Sequence, residues 1–361
     1  MGLIRTLLAL AVVLGHAQAA YVMVGGRNAV QMFYVISGFL ISYVLVERRA
    51  YASPWVFYAN RYLRLYPIYL VVGLLTLLGC AMSLRPEFFE VYQQAPWPAA
   101  LWLFVSNLLI VGQDWLMFAG VKANQLVFAV DFKISDVPLW KGLLAPQAWT
   151  LGVELSFYLV APFIVRRRAW LWCLLVTSIA LRAALIRQGL GMNDPWDYRF
   201  FPTELALFMM GALTHQVLRP LYARYLERDV LAHLSWGALG VMLLAVVVYP
   251  YVPMDHLLKS ALLFALLLPC MPLLFVLQSS SKIDRTIGEL SYPIYICHWL
   301  VIEVCTKLFA GRPKEGAFLA CVIGGSLLCA YVLNRWVGEP VERWRDKLRA
   351  QGAPQAALRT R

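Results

Sequence analysis

The chain has 361 residues, of which 61% are hydrophobic and only 14% are charged, and its formal net charge is +12. About a quarter of the residues of a soluble domain are charged, so this composition excludes an ordinary soluble globular protein. The Lys and Arg residues lie in short segments between apolar runs, which is typical of cytoplasmic loops and argues against nucleic acid as a partner.

About ten apolar runs are long enough to cross the ~30 Å hydrocarbon core of a bilayer as helices. They lie near residues 3–24, 29–46, 66–83, 150–165, 169–186, 201–218, 232–250, 257–277, 287–309 and 315–337. One further run, 99–111, falls short of the bilayer core at ~1.5 Å rise per residue, so it is either a short span or a re-entrant or interfacial segment. We therefore expect an all-α, polytopic integral membrane protein of about ten transmembrane helices, surrounded by membrane lipids.

The first run has two interpretations. Arg5, the apolar stretch after it and Ala17-Gln18-Ala19 resemble a secretory signal peptide with its cleavage site. The same residues can form a retained helix, in which Arg5 and His16 share one face because eleven residues are close to three helical turns. Ionisable side chains within spans are candidates for function. Taken singly, however, Arg5 suits a topology anchor and His16 an interfacial hydrogen-bonding residue.

The next two elements carry small and basic residues. Ser37 and Gly38 in the second run let helices approach closely, so we expect them to shape a site rather than to react. Arg61 and Arg64 precede the third run and project to one side of a helical turn. Two guanidinium forks can clamp phosphate groups, or they can anchor the cytoplasmic end of a span.

Two later spans contain ionisable residues. Glu154 is expected about one turn below the outer surface, at the depth of His16, and a glutamate within a membrane needs a partner. A His16–Glu154 pair that orients a general base is the functional interpretation, and an interhelical salt bridge is the structural one. His298 is a second histidine within a span, and alone it indicates a buried structural residue.

The loop charges predict the orientation of the chain. If 99–111 does not cross, the basic loops and the basic tail all face the cytoplasm together with the N-terminus. These segments are 47–65, 166–168, 219–230, 278–286 and 344–361. A crossing would instead put Arg166, Arg167 and Arg168 outside. The loop 112–148 then faces outward, where its composition suits a lid or vestibule.

Five motifs in chain order resemble those of the acyltransferase-3 family of membrane acyltransferases, which O-acylate polysaccharides and other envelope or exported molecules. They are Arg5 and His16; Phe33, Tyr34, Ser37, Gly38 and Phe39; Arg61 and Arg64; Trp149, Leu151, Glu154, Phe157 and Tyr158; and Ser291, Tyr292, Tyr295 and His298. Gly338-Glu339-Pro340 resembles the family's closing segment. Thr150, Tyr34 and Gln31 depart mildly from the pattern and leave substrate details open. The resemblance favours the retained first helix, because cleavage would remove Arg5 and His16.

The resemblance implies a membrane acyltransferase domain, which we place over 1–343, and the basic composition of the remaining residues predicts a cytoplasmic tail over 344–361. It implies acyl-CoA as co-substrate, with acetyl-CoA as the expected donor, and the inner membrane of a bacterium as the location. We expect Arg5, Arg61 and Arg64 to bind the donor from the cytoplasm. The expected acceptor is a glycan or lipid-linked sugar.

The expected chemistry is general-base catalysis by His16 on an acceptor hydroxyl, with Glu154 orienting the imidazole. A covalent acyl-histidine relay is an alternative step. The residues expected to line the substrate pocket are Ser37, Trp149, Tyr158 and His298. The seven cysteines lie in or beside apolar runs without any CxxC pair, so neither a metal site nor a disulfide framework is expected.

A different class of function is also compatible with these residues. In a proton-coupled transporter or flippase of a glycan or lipid, His16 and Glu154 would relay protons, and no acyl-CoA would bind. A structural membrane partner is a third alternative.

Overall fold

In the computed structural model, the described residues are 1–48, 51, 53–309 and 316–351, without the side chains of 349–351. Their helices, in chain order, are α1 (Gly2–His16), α2 (Gly25–Ser42), α3 (Pro54–Ala81), α4 (Glu87–Gln94), α5 (Trp97–Leu109), α6 (Trp149–Ile164), α7 (Arg168–Arg187), α8 (Phe201–Leu213), α9 (Arg219–Tyr225), α10 (Arg228–Val248), α11 (His256–Ser280), α12 (Lys282–Glu289), α13 (Ser291–Leu308), α14 (Gly316–Leu333) and α15 (Glu339–Gln351). Short π-helical segments, Tyr43–Glu47, Thr214–Leu218 and Asn334–Gly338, continue α2, α8 and α14.

Six helices in the described part of the chain are long and apolar enough to cross a membrane, namely α2, α3, α7, α10, α11 and α14. The other four predicted spans coincide with α1, α6, α8 and α13, of which α1 is a shorter apolar helix. An α-helical integral membrane protein is therefore confirmed, while ten crossings stay a prediction. One antiparallel hairpin, β1 (Ala119–Lys122) with β2 (Gln125–Phe128), is a small departure from an all-α fold.

Helix α1 lies in the centre of the bundle. Leu8, Ala9 and Val13 are completely buried, as expected for a helix that is apolar on all sides. The carboxylate of Asp284 in α12 accepts hydrogen bonds from the backbone N–H groups of Gly2 and Leu3, both at 2.8 Å. These bonds satisfy donors that the first turn of a helix leaves unpaired.

Helices α2 and α8 pack with their backbones in close contact. A Cβ atom added at Gly38 would lie 2.0 Å from the carbonyl oxygen of Phe208, and one added at Gly211 would lie 1.9 Å from that of Val35. Gly38 is therefore a packing residue, as its size predicts.

Helix α3 starts earlier than its hydropathy predicts. The Ser53 hydroxyl accepts a hydrogen bond from the Val56 N–H at 3.3 Å and caps a helix that runs on to Ala81. Arg61 and Arg64 consequently lie within the helix, and Pro67 is in its interior. The difference arises because basic residues that face the bundle interrupt an apolar run without interrupting the helix.

Helix α15 packs against α3. Arg345 is only 5% exposed, and its guanidinium donates to the backbone oxygen and the side-chain Oδ1 of Asn60, each at 3.0 Å. The predicted boundary between 343 and 344 falls inside this helix. Residues 352–361 of the predicted tail lie outside the described residues.

Candidate functional site

Two cavities open between helices α1, α2, α6 and α13. The arginine cavity encloses about 90 Å³, and Arg5, Arg61 and Arg64 are among its lining residues. The histidine cavity encloses about 270 Å³ and is lined by His16 together with aromatic and charged side chains. The side chains that line both cavities are Val30 and Tyr295.

The order of lining residues along the helices shows that the cavities are stacked along the bundle. On α1, Arg5 lines the arginine cavity and His16 the histidine cavity. On α13 the sequence is Ser291, then Tyr295 at both cavities, then Trp299 at the histidine cavity. The two cavities are therefore at different depths of one helical framework.

The directions of α13 and α6 relative to the two cavities show where residues 82–148 leave and rejoin the bundle. Helix α13 runs from the arginine cavity past the histidine cavity, and near its end Lys307 donates to the carbonyl of Ser83, just after α3. Helix α6 begins beside the histidine cavity with Trp149 and runs back towards the arginine cavity. The segment 82–148 thus begins and ends on one side of the bundle, while the absence of a bilayer crossing at 99–111 stays a prediction.

His16 is paired with His298. Nδ1 of His16 lies 2.8 Å from Nε2 of His298, and the two rings are nearly parallel, at 8°, with their centroids 5.0 Å apart. Nδ1 of His298 lies 2.6 Å from the backbone oxygen of Tyr295. Trp299 packs edge-on against the His16 ring at 5.2 Å. The imidazole at the end of α1 is therefore contacted by His298 and Trp299 of α13, and Tyr295 in turn holds His298.

These contacts determine which nitrogen of His16 is basic. A carbonyl oxygen only accepts, so Nδ1 of His298 carries a proton, and in the neutral ring its Nε2 is an acceptor. Nδ1 of His16 then donates to that acceptor. The unprotonated nitrogen of a neutral His16 is accordingly Nε2, the form that a general base requires.

Glu154 is not the partner of His16 that the sequence predicted. Its carboxylate accepts from the Ser37 hydroxyl at 2.8 Å and from the Tyr158 hydroxyl, and it lines the arginine cavity. The depth expected for Glu154 was wrong because α6 starts beside the histidine cavity, so five further residues carry the chain ~7.5 Å towards the other cavity. His298 occupies the position predicted for Glu154.

The three predicted donor-binding residues, Arg5, Arg61 and Arg64, do lie together. Arg61 is 4% exposed, donates to the Tyr51 hydroxyl at 3.2 Å, and has a buried Nε without a hydrogen-bond partner. Arg5 and Arg64 are half-buried in the same cavity. Buried donors without partners are costly, and guanidinium groups pair best with carboxylate or phosphate oxygens. The arginine cavity is therefore suited to an anion.

The four predicted pocket residues are distributed over both cavities. Ser37 and Tyr158 line the arginine cavity, and Trp149 lines the histidine cavity. His298 is completely buried behind His16 and reaches the histidine cavity only through that ring.

Arg199 is a charged residue of the histidine cavity that the sequence analysis missed. Its Nε and a terminal nitrogen bind the two carboxylate oxygens of Asp194 at 2.5 and 3.0 Å, and its guanidinium lies 4.3 Å from the centre of the Trp149 ring. Burial alone would lower the pKa of Arg199, but Tyr198 and Asp194 raise it above its ordinary value. The available signal was an arginine in a loop predicted to face outward, where basic residues are uncommon.

Residues of the loop 112–148 cover part of the histidine cavity. Lys133 forms a 3.1 Å ion pair with Asp194, and Phe132 lies 5.3 Å from the Arg199 guanidinium. The indole of Trp196 donates to the backbone oxygen of Val130 at 3.0 Å. The loop 112–148 thus forms part of the lining of the histidine cavity.

Within the described ranges, no three or more His, Cys, Asp or Glu side chains are grouped so that they could hold a metal ion.

The comparisons with known proteins give one match. A family model for the acyltransferase domain of the acyltransferase-3 type matches residues 1–335. No curated protein and no solved structure matched the chain.

Proposed function

Since the chain belongs to the acyltransferase-3 family, we propose that this membrane acyltransferase moves an acyl group from acyl-CoA to a hydroxyl of an envelope or exported glycan. Acetyl-CoA is the proposed donor. The proposed location is the bacterial inner membrane with both termini in the cytoplasm, because the basic loops then lie on the cytoplasmic side.

One observation supports this function above the others: a cavity with three arginines and a cavity with a paired histidine share the lining residues Val30 and Tyr295. An acyl-CoA has phosphates at one end and the thioester at the other. The arginine cavity fits the phosphates, and the adjoining cavity offers a base for the acceptor. Aromatic side chains such as Trp140, Trp149 and Trp299 suit the apolar faces of a sugar.

In the proposed reaction, Nε2 of His16 takes the proton from the acceptor hydroxyl as its oxygen attacks the thioester carbonyl. The new C–O bond forms, the C–S bond breaks, and the CoA thiolate receives the proton. The products are the O-acylated acceptor and CoA. His298 acts as a positioning residue, because it keeps Nδ1 of His16 engaged as a donor.

Glu154 belongs to the donor site in this proposal. Its carboxylate, held by Ser37 and Tyr158, faces the same cavity as the three arginines and balances part of their charge. The family membership favours an acyltransferase over the transporter or flippase alternative.

The proposal is tested with purified protein in proteoliposomes, isotope-labelled acetyl-CoA and a panel of purified envelope polysaccharides. We expect CoA thiol release together with label in the glycan fraction. Binding of CoA without any label transfer to the polysaccharides, or to lipid-linked sugars from the same membranes, would contradict the proposed reaction.

A further inference from the structure

The arginines that bind the donor phosphates and the basic nitrogen of His16 lie in different cavities, so the donor must reach from one to the other. Arg5, Arg61 and Arg64 line the arginine cavity, whereas His16 lines the histidine cavity. The donor phosphates and Nε2 of His16 are thus separated by the side chains that line both cavities.

We infer that the acyl end of the donor passes between Val30 and Tyr295, and that these two side chains set the width of acyl group that can pass. This inference rests on the proposed function. The supporting geometry is that both residues line both cavities, one from α2 and the other from α13. They are also nearly closed to solvent, at 5% and 7% exposure.

The passage between Val30 and Tyr295 is called the crossing below, and Tyr295 is its fixed side. Its hydroxyl donates to the carbonyl of Gln147 at 3.1 Å and accepts from the Thr150 hydroxyl at 2.9 Å. Phe33 packs edge-on against its ring, with centroids 6.3 Å apart. The Tyr295 side chain thereby joins α13 to the start of α6, and its backbone oxygen holds His298.

Val30 is the adjustable side. It is a small, β-branched side chain without polar contacts, so its replacement changes the width of the crossing and no hydrogen bond. The acyl head of the donor enters first and the pantetheine arm follows behind it. An unbranched acyl chain is no wider than the pantetheine arm, so it can pass. Wider acyl groups are held back, and the crossing therefore selects acyl groups by cross-section.

The first test places a thiol at the crossing with Val30→Cys, a change that keeps a small buried hydrophobic side chain. The probes are the mixed disulfide of CoA with 2-thiopyridine and a charged methanethiosulfonate. The thiolate of the introduced cysteine attacks the CoA sulfur, a new S–S bond forms and 2-thiopyridone leaves. We expect a mass increase by CoA that excess free CoA suppresses, and also reaction with the methanethiosulfonate from the histidine side.

The matched control is Val35→Cys, on the same helix, completely buried and not a lining residue of either cavity. It should react with neither probe, and the native cysteines give the background. Reaction from the histidine side alone, with CoA binding intact, would overturn the crossing and leave the proposed function standing. Failure of the wild-type protein to bind CoA would overturn both.

A second measurement uses Val30→Ala, which widens the crossing without a reactive group. The rate of benzoyl transfer relative to acetyl transfer should rise at least tenfold, and Val35→Ala should leave this ratio unchanged. An unchanged ratio in Val30→Ala would overturn the inference, because a narrow passage at this point would then not limit the reaction.

Discussion

At the scale of single residues, His16 is the side chain with the most specific assignment. Its Nδ1 is engaged by His298 and its ring is exposed to the histidine cavity, so one nitrogen is fixed and the other is basic. Such a ring can remove a proton from a hydroxyl without first changing its tautomer.

His16→Ala should therefore reduce acyl transfer by ~10²–10⁴, the usual contribution of a general base. Binding of CoA should be retained, because His16 does not line the arginine cavity. Label transfer and CoA binding measured on the same preparation check both statements. His233→Ala is the matched control, since His233 lies on α10 with its Nδ1 bound to the Asp229 carbonyl. Full transfer activity in His16→Ala would refute the assignment.

Arg64→Lys should weaken CoA binding about tenfold or more, because a lysine cannot reproduce a bidentate contact and one hydrogen bond to a charged group contributes ~1.5–3 kcal/mol. Arg64 is the better test residue than Arg61, which is buried and bonded to Tyr51. Calorimetric titration with CoA gives the affinity, and Arg166→Lys in the exposed loop before α7 is the control. Equal CoA affinities of the Arg64→Lys and Arg166→Lys proteins would show that Arg64 serves only as a topology anchor.

The sequence predicted which ionisable residues matter better than it predicted their pairing. Arg5, Arg61 and Arg64 do share a cavity. His16 and Glu154, however, were paired by estimated depth, and depth along a helix says nothing about which neighbouring helix a side chain faces. The pairing with His298 depends on α1 and α13 being adjacent over 282 residues of separation, which no local pattern records.

At the scale of helices, the contact between α2 and α8 tolerates little change. The α carbons of Gly38 and Gly211 each approach a backbone carbonyl of the other helix, so any side chain there must push the helices apart. Since α2 also carries Val30 and Ser37, a shift of this helix would alter both cavities.

Gly38→Ala should destabilise the protein by ~1–3 kcal/mol, the usual cost of overpacking. Thermal unfolding in detergent, followed by intrinsic fluorescence, provides the measurement. Gly237→Ala is the matched control, because a Cβ atom at this position in α10 would meet no atom within 4 Å. The control should be neutral or gain ~0.5–1 kcal/mol, as expected for glycine to alanine in a helix. A Gly38→Ala protein as stable as the control would show that the two helices can separate without penalty.

Hydropathy located the helices but not all of their ends. The first turns of α3 were missed because Arg61 and Arg64 lower the mean hydropathy, although both face a cavity and stay helical. Likewise, the tail was predicted from charge, yet the buried Arg345 of α15 is bound to Asn60. Charge indicates exposure only when no partner is available, and these partners come from distant parts of the chain.

At the scale of the whole molecule, topology follows from the helix directions once one side is assigned. Asp131→Cys should react with a membrane-impermeant maleimide on intact cells, and Arg167→Cys should react only after the membrane is opened. The unsubstituted chain, with Cys173 exposed on α7, gives the background. Labelling of position 167 but not of position 131 from outside would invert the orientation and with it the proposed donor side.

The sequence predicted the membrane class and the family, because both depend on composition and on motifs that are local. It did not predict two stacked cavities or that Val30 and Tyr295 line both of them. Each cavity is built from four or more helices, and the relative rotation of those helices is set by packing such as that at Gly38. That information is distributed over the whole bundle.

The path of residues 82–148 has an evolutionary consequence. Because this stretch leaves and rejoins the bundle on the same side, it can lengthen, shorten or be replaced wholesale without reversing any later helix. The arginines that face the opposite cavity would be untouched by such a replacement. A lineage could therefore diversify what it recognises in the histidine cavity while keeping the arginine cavity unchanged, and grafting this stretch between homologues is the natural way to engineer the same change.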